Sequence, residues 1–167
     1  MYSYSIDAKK HYSSFLYKLE RFPFHYKQQS LTIYLRFNQT NKYILPSIPD
    51  QQDINKLCGL SWGDHGKNSA RLGYWYDPNQ DTFKLYLFLH KNSKQSWYHL
   101  QDIPVDKLTT LKFTFDYQSN TITASCKDKT ICIRFNYPKF KGGYYLYPYF
   151  GGDFPTPHQQ FYDLHFQ

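Results

Sequence analysis

Two polar, turn-rich segments hold the side chains that could do chemistry in this 167-residue chain. In residues 62–71, His65, Asn68 and Arg71 follow one another between two strand-like stretches. An imidazole can act as a general base near neutral pH, and a guanidinium can clamp a carboxylate through two parallel hydrogen bonds. We therefore predict a loop that binds a carboxylate or a diol. The alternative interpretation is a hydrophilic connection whose Asn and Asp side chains satisfy the backbone of a turn.

Residues 146–158 form the second segment, which combines tyrosines, a Gly-Gly pair, an aspartate, two prolines and a histidine. The ring of Tyr149 offers a face on which the apolar side of a sugar can stack while polar neighbours meet its hydroxyls. The alternative is that the tyrosines belong to the core and that the glycines only form a turn. If the two segments meet, we expect one ligand-binding group that consists of His65, Asn68, Arg71, Tyr149, Asp153 and His158.

The composition predicts that strands position both segments. The chain has 18 Tyr and 14 Phe, whereas Ala occurs three times and Glu once, as Glu20. A chain this poor in strong helix formers and this rich in aromatic residues favours β-structure. The codon usage of an AT-rich genome would explain the same aromatic excess, so the excess by itself does not indicate a sugar-stacking surface.

Strand-like stretches recur roughly every ten residues, with turn residues between them. The clearest alternation places Leu111, Phe113 and Phe115 on one face and leads into a hairpin. This pattern predicts an all-β fold, an antiparallel β-sandwich of the jelly-roll type, in a single domain over residues 1–167. At most a short helix is expected near the N-terminus, over residues 12–21. The predicted strands are 31–37, 54–62, 70–76, 83–90, 96–100, 111–117, 121–126, 130–135, 144–150 and 161–166.

The net charge indicates which partners the chain could bind, and the cysteine content indicates whether disulfides are expected. A net charge of +7 and a pI of about 9.2 are compatible with acidic glycans, nucleic acid or anionic lipid. Apart from Lys9-Lys10, the lysines are spread singly along the predicted strands, so a solvated basic face is the alternative. Without a nucleic-acid-binding motif we expect no nucleic-acid partner. Cys58, Cys126 and Cys132 are expected to be buried thiols, while a bridge between Cys126 and Cys132 across a hairpin stays open.

The hydropathy pattern bears on the membrane and the compartment. The sequence contains no apolar stretch long enough to span a bilayer and no signal-peptide core after Met1. We therefore expect no transmembrane segment, and either a cytoplasmic protein or the mature form of an exported one. The sequence leaves the choice between these compartments, and the oligomeric state, open.

Four stretches of the sequence carry a family resemblance: residues 5–12 (SIDAKKHY), 53–59 (DINKLCG), 65–74 (HGKNSARLGY) and 146–153 (LYPYFGGD), the last with Pro157-His158 after it. They are similar to signature segments of small bacterial proteins without an assigned activity, which resemble concanavalin A-like lectin/glucanase sandwiches. The resemblance spans almost the whole chain. It implies a concanavalin A-like fold and brings no established activity with it.

The resemblance also bears on catalysis. Glucanases of this fold use paired glutamates around an aspartate on one strand, and a retaining mechanism needs two carboxylates about 5–5.5 Å apart. This chain has only Glu20, so no catalytic residue is assigned. Alginate-lyase-like sandwiches instead use His and Tyr for proton abstraction, with Arg and Asn or Gln at the uronate carboxylate. Their strand motifs are absent here in the usual form, but the right residue types occur as His65, Asn68, Arg71, Tyr149 and His158.

We expect a lectin-like carbohydrate-binding protein that recognises a polar glycan, with acidic glycans among the candidates, and binding is favoured over catalysis. One alternative is a polysaccharide lyase or glycan hydrolase on the same scaffold, more like a lyase than a retaining glycosidase. The other is a non-catalytic structural or protein-interaction sandwich. No cofactor and no metal ligand are expected, because the sequence lacks an Asp-x-Asp-x-Asp loop. Calcium stays open only through Asp50, Asp53, Asp64 and Asp153.

Overall fold

The computed structural model describes residues 3–13, 21–22, 28–137 and 143–166, which form two six-stranded antiparallel sheets that face each other. The predicted all-β antiparallel sandwich is confirmed, and each predicted strand overlaps an observed one. The observed strands are β1 (Ser3–Ile6), β2 (Arg21–Phe22), β3 (Gln28–Arg36), β4 (Asn55–Ser61), β5 (Asn68–Asp77), β6 (Thr82–Lys91), β7 (Lys94–Pro104), β8 (Thr109–Asp116), β9 (Thr121–Cys126), β10 (Lys129–Arg134), β11 (Gly143–Leu146) and β12 (Gln160–Phe166).

Each sheet combines local hairpins with strands from distant parts of the chain. The first sheet has the order β1-β12-β3-β8-β9-β10, and the second has the order β2-β11-β4-β5-β6-β7. The runs β4 to β7 and β8 to β10 follow the sequence order, because short turns join antiparallel neighbours. In contrast, β12 inserts between β1 and β3, and β11 inserts between β2 and β4. The second insertion brings the tyrosine-rich segment after β11 next to β4.

Because side chains alternate between the two faces of each strand, one face of each sheet packs into a shared core. On β8, Phe113 and Phe115 are buried while Lys112 is exposed, as the alternation predicted. Core rings also pack directly on one another across the sandwich, as Phe37 does on Phe83 with ring centroids 4.0 Å apart. Much of the aromatic excess therefore fills the core, which bears out the interpretation that aromatic content by itself does not mark a ligand surface.

Helical structure within the described ranges is limited to two short elements, a 3-10 helix at Gln39–Asn41 and α1 at Ile48–Gln51. The N-cap Ser47 starts α1, because its Oγ accepts a hydrogen bond from the backbone N–H of Asp50. A proline in the first turn of α1 fits the same start, since it needs no hydrogen-bond partner for its nitrogen. None of the helices in the described ranges has the length and apolar character that crossing a bilayer requires.

The helix predicted over residues 12–21 is wrong at both of its described ends. Tyr12 forms a backbone bridge with Tyr149, and Arg21 begins β2. Residues 14–20 lie outside the described part of the chain. At Tyr12 and Arg21, pairing with distant strands has outweighed local helix propensity.

The strand predicted over residues 144–150 ends early, at Leu146, and Pro148 follows without a backbone N–H to donate. Tyr149 nonetheless pairs with β4. Its N–H donates to the carbonyl oxygen of Lys56, and the Lys56 N–H donates to the carbonyl oxygen of Tyr149, each over 2.8 Å. This bridge fixes Tyr149 beside Lys56 at the edge of the candidate site.

The three cysteines are free thiols. On the β9–β10 hairpin, Cys126 lies opposite Lys129 and Cys132 lies opposite Thr123, so the two thiols occupy different cross-strand pairs and form no bridge. Cys58 and Cys126 are buried as expected, whereas Cys132 is exposed, because it points to the outer face of the edge strand β10. Burial raises the pKa of the Cys58 thiol, which keeps it protonated and unreactive.

Candidate functional site

The candidate site lies on the outer face of the second sheet, away from the core. On β5, Leu72 and Tyr74 are fully buried in the core, so the alternate residues Arg71 and Gly73 belong to the set that faces outward. Antiparallel register places Arg71 of this outer set opposite Gly59 on β4 and opposite Phe88 on β6. The sheet thus presents a basic side chain between a position without a side chain and an aromatic ring.

A cavity of about 400 Å³ opens over this face. Four basic side chains line it: Lys56, His65, Arg71 and His90. Five aromatic residues form its floor and walls: Tyr12, Phe88, Tyr145, Tyr147 and Tyr149. Gly66, Gln95 and Leu146 complete the lining, so none of the described lining residues carries a carboxylate. A cavity with this lining suits an anionic ligand that also has an apolar face.

Lys56 lies against the aromatic rings of the cavity. Its Nζ is 4.9 Å from the ring centroid of Phe88 and 5.8 Å from that of Tyr149, which is cation–π range. Burial, and then the Arg71 guanidinium, lower the pKa of Lys56 to about 8, while Asp53 opposes them. Lys56 is therefore still mainly an ammonium at neutral pH and loses its charge at mildly alkaline pH.

The two histidines are joined through Ser69. Its hydroxyl donates to the carbonyl oxygen of His65 over 2.7 Å, and its Oγ lies 3.3 Å from Nδ1 of His90. Because the hydroxyl proton is used at His65, Nδ1 of His90 is assigned as the donor to Ser69, which leaves Nε2 as the acceptor of the neutral ring. Burial and then the charge of Arg71 lower the pKa of both His65 and His90. Both rings are mainly neutral at pH 7.

Tyr149 forms one wall of the cavity and is held by two rings of the N-terminal segment. The ring of His11 stacks on it at 5.7 Å, and the ring of Tyr12 meets it edge-on at 5.0 Å. Burial, and then Tyr12, raise the pKa of Tyr149, while Arg71 opposes them. Its hydroxyl therefore stays protonated at neutral pH and can donate a hydrogen bond.

The Gly-Gly pair of the second segment shapes the approach to the cavity. A Cβ at Gly151 would lie 2.7 Å from Nζ of Lys56, and the Gly151 N–H donates to Oδ1 of Asn55 over 2.8 Å. Gly152 has a φ of +87°, and a Cβ there would lie 1.9 Å from Oδ2 of Asp53. The two glycines are thus required where this segment passes β4, and they leave room for the Lys56 side chain.

The structure gathers three of the six predicted ligand-binding residues. His65, Arg71 and Tyr149 line the same cavity. The other three, Asn68, Asp153 and His158, are not among its lining residues. Their role in ligand binding stays a prediction, and their surroundings differ.

Asn68 and His158 have contacts that explain them as parts of the scaffold. Oδ1 of Asn68 accepts from the N–H of Asn92 over 3.3 Å, which ties the loop before β5 to the β6–β7 turn. His158 Nε2 lies 2.9 Å from the carbonyl oxygen of Thr40, beside the 3-10 helix. Asp153 is exposed in the turn after Gly152 and near enough to Asp53 to raise the pKa of that carboxyl.

Sequence reasoning missed Lys56, Phe88, His90 and Gln95 as cavity residues. The period-two alternation of residues 83–90 does place Phe88 and His90 on one face, and the short turn before β6 implies pairing with β5. The antiparallel register of this hairpin therefore predicts that His90 lies beside Arg71. No local signal could have found Lys56 next to Tyr149, because that contact depends on the insertion of β11 beside β4.

The four aspartates considered for calcium do not form a site. Asp50 and Asp153 both raise the pKa of Asp53, whereas Asp64 caps the loop before β5, where its Oδ1 accepts from the Gly66 N–H over 2.8 Å. Among the described residues, no group of three or more His, Cys, Asp or Glu side chains could hold a metal ion.

Comparisons with known proteins give a distant structural similarity. No protein-family model matches the chain, and no curated protein matches it. Among solved structures, the chain is similar to a native heptameric SAP-like pentraxin from Limulus polyphemus, at 10% sequence identity and a TM-score of 0.48. The match covers 98% of this chain and 74% of that chain. The assignment of a β-sandwich rests on the sheet order and strand register given above.

Proposed function

We propose that this protein is a lectin-like carbohydrate-binding protein that recognises an acidic glycan in the cavity on the second sheet. The observation that carries the proposal is the cavity lining: four basic side chains and five aromatic residues, without a carboxylate among the described lining residues. Acidic sugars combine a carboxylate with an apolar ring face, and this lining offers a partner for each. The ligand is thus the polar glycan expected from the sequence, and among polar glycans we favour acidic ones.

Arg71 is the main anchor for the carboxylate in this account. Its side chain is only 8% exposed, at the floor between β4 and β6, where charge–charge interactions are weakly screened. A guanidinium can bind both carboxylate oxygens, and a charge-assisted hydrogen bond of this kind contributes about 1.5–3 kcal/mol. Lys56 adds a second positive charge, and Tyr149 adds a ring for stacking and a hydroxyl donor.

Isothermal titration calorimetry of the purified chain tests the proposal. The ligands are oligosaccharides of glucuronate, galacturonate and mannuronate, with neutral oligosaccharides of the same length as controls. We expect at least one acidic ligand to bind at sub-millimolar concentration and its neutral counterpart to bind much more weakly. Equal binding of charged and neutral ligands, or no heat with any acidic ligand at millimolar concentration, would contradict the proposal.

A second candidate function is elimination by a polysaccharide lyase. It is favoured by Lys56, whose pKa of about 8 leaves a fraction of neutral amine near physiological pH beside Arg71. In such a step Arg71 would neutralise the uronate carboxylate, and the Lys56 amine would take the C5 proton. The C5–H electrons would form the C4=C5 bond, the C4–O bond would break, and the Tyr149 hydroxyl would protonate the leaving oxygen. An increase in near-ultraviolet absorbance on incubation with polyuronates would show the unsaturated product.

A further inference from the structure

A second cavity lies beside the first on the same face of the second sheet. Its volume is about 380 Å³, and it shares three lining residues with the first cavity: Lys56, Phe88 and Gln95. The remaining lining consists of Trp75, Tyr86, Trp97 and residues 52–54. Because the same side chains border both cavities, the two are contiguous, and neighbouring units of one chain-like ligand can occupy them together.

The second cavity presents an exposed aromatic surface. Trp97 lies opposite Phe88 in the β6–β7 pairing, and 56% of its surface is exposed. Nε1 of Trp75 donates to the Tyr86 hydroxyl over 3.0 Å, which fixes the ring that lies deeper in the cavity. A large exposed indole beside a fixed aromatic floor is a surface on which a pyranose ring can stack.

The two cavities differ in charge. The first is lined by the cations Lys56 and Arg71 and by no carboxylate among the described residues, whereas in the second the carboxylate of Asp53 accompanies the shared Lys56. Burial raises the pKa of Asp53, Lys56 lowers it, and Asp153 and Asp50 raise it further, so two more carboxylates lie near the Asp53 side of the second cavity. A uronate at this end would meet like charge. A neutral sugar would instead donate its hydroxyl hydrogens to the Asp53 carboxylate.

We infer that the second cavity is a subsite for a neutral sugar ring, and that the preferred ligand is an acidic heteroglycan in which uronate and neutral units alternate, not a homopolymer of uronates. The inference rests on the proposed function, because it takes the first cavity as the uronate subsite. Adjacent rings of the glycan occupy adjacent cavities. A glycan of alternating units then places a uronate in the first cavity and a neutral ring in the second, whereas a polyuronate suits only the first cavity.

Calorimetry with two tetrasaccharides of equal length tests this specificity. One is a hyaluronan tetrasaccharide, in which glucuronate alternates with N-acetylglucosamine, and the other is a β-linked oligoglucuronate. We expect the alternating ligand to bind about 10-fold more tightly. Asp53→Asn should bring the two affinities together by strengthening oligoglucuronate binding. Asp128→Asn, which makes the same charge change in the exposed β9–β10 turn, should leave the ratio unchanged.

Trp97 gives an independent measurement of the second subsite. We expect Trp97→Ala to weaken binding of the hyaluronan tetrasaccharide about 5- to 10-fold, and Trp97→Phe to restore most of the loss. Binding of glucuronate alone, which needs only the first cavity, should stay unchanged. Phe161→Ala removes another exposed ring, from the first sheet, and should have no effect on either ligand.

The outcomes separate this inference from the proposed function. If the oligoglucuronate binds as tightly as the alternating ligand, and Asp53→Asn and Trp97→Ala change neither affinity, the second subsite is refuted while the acidic-glycan site stands. If neither acidic tetrasaccharide binds, the proposed function fails, and this inference fails with it. A preference for the alternating ligand that disappears in Asp53→Asn supports both.

Discussion

The outer faces of the two sheets follow the same rules of pairing and alternation but carry different side chains. On the first sheet, the central outward pair of β3 and β8 is short and hydroxylated: the side-chain oxygens of Ser30 and Thr114 lie 3.2 Å apart. On the second sheet, the corresponding positions hold Arg71, Phe88 and Trp97. The β-sandwich therefore determines where outward positions lie, and the side chains at those positions determine whether a cavity forms.

The charges at the cavity are arranged differently from those on the first sheet. On the first sheet, Arg36 pairs with Asp163 across β3 and β12 at 2.6 Å in an exposed salt bridge of the ordinary surface kind. On the second sheet, Lys56 lies close enough to Arg71 for the guanidinium to lower its pKa. Two like charges at this distance repel each other, and a bound anion would offset part of that repulsion. This arrangement favours an anionic ligand for the second sheet and solvent for the first.

The largest expected effect is a difference between the two outer faces in how much one substitution lowers the free energy of unfolding. Phe88 is only 3% exposed although it points away from the core, so Phe88→Ala should lower the free energy of unfolding by about 3 kcal/mol. Thr114→Ala, at an outward position of the first sheet, should change it by less than about 0.5 kcal/mol. Urea unfolding followed by tryptophan fluorescence measures both. Equal effects would show that the second outer face has no packing of its own.

The next effect is a difference in ligand affinity between arginine substitutions on the two outer faces. Arg71→Ala should weaken binding of an acidic oligosaccharide by about 1.5–3 kcal/mol, because the bidentate clamp on the carboxylate is lost. Arg71→Lys should recover only part of this, since an ammonium lacks the planar fork. Arg134→Ala on the first sheet removes the same charge and should leave the affinity unchanged within about twofold. Calorimetry, with circular dichroism as the check of folding, gives all three values.

If Arg71→Ala and Arg134→Ala weakened binding equally, affinity would depend on net charge and not on the cavity. Such a result would favour a solvated basic surface as the source of any attraction to anions. The two outer faces would then still differ in packing but not in how they bind anions.

The smallest expected effect is the pH dependence of binding. The lowered pKa of Lys56, about 8, means that Lys56 is charged below that value and neutral above it, while a uronate is ionised at all pH values above about 5. Affinity should therefore fall, by about 1 kcal/mol, as pH rises from about 7 to about 9. Lys56→Arg should remove this decline, because arginine keeps its charge. Titrations at several pH values provide the measurement, and a flat profile in the wild type would exclude Lys56 from the site.

Most of the fold could be predicted from the sequence, because strand alternation is a local property. Leu111, Phe113 and Phe115 indicated both the inward face of β8 and its hairpin with β9, and both were observed. The N-terminal helix was wrong where it can be checked, since Tyr12 makes a bridge with Tyr149, far away in sequence. Local propensity gives no information about such a pairing.

The site could be predicted only in part, for a related reason. Arg71 and Tyr149 were chosen for their residue types, and the structure does place them at one cavity. Lys56 is an ordinary strand lysine in the sequence, and its importance arises only from pairing with Tyr149. His158 has a suitable side chain, but the fold directs it to the carbonyl oxygen of Thr40. Residue type is visible in a sequence, whereas proximity between non-local strands is not.

The most direct test of an acidic-glycan site on the second sheet is an NMR titration of the ¹⁵N-labelled chain with a glucuronate-containing oligosaccharide. Saturable shifts are expected at Arg71, at His90 and in residues 145–149, with the outward residues of β8 and β9 unaffected. Shifts confined to the first sheet, or none at millimolar ligand, would contradict the account.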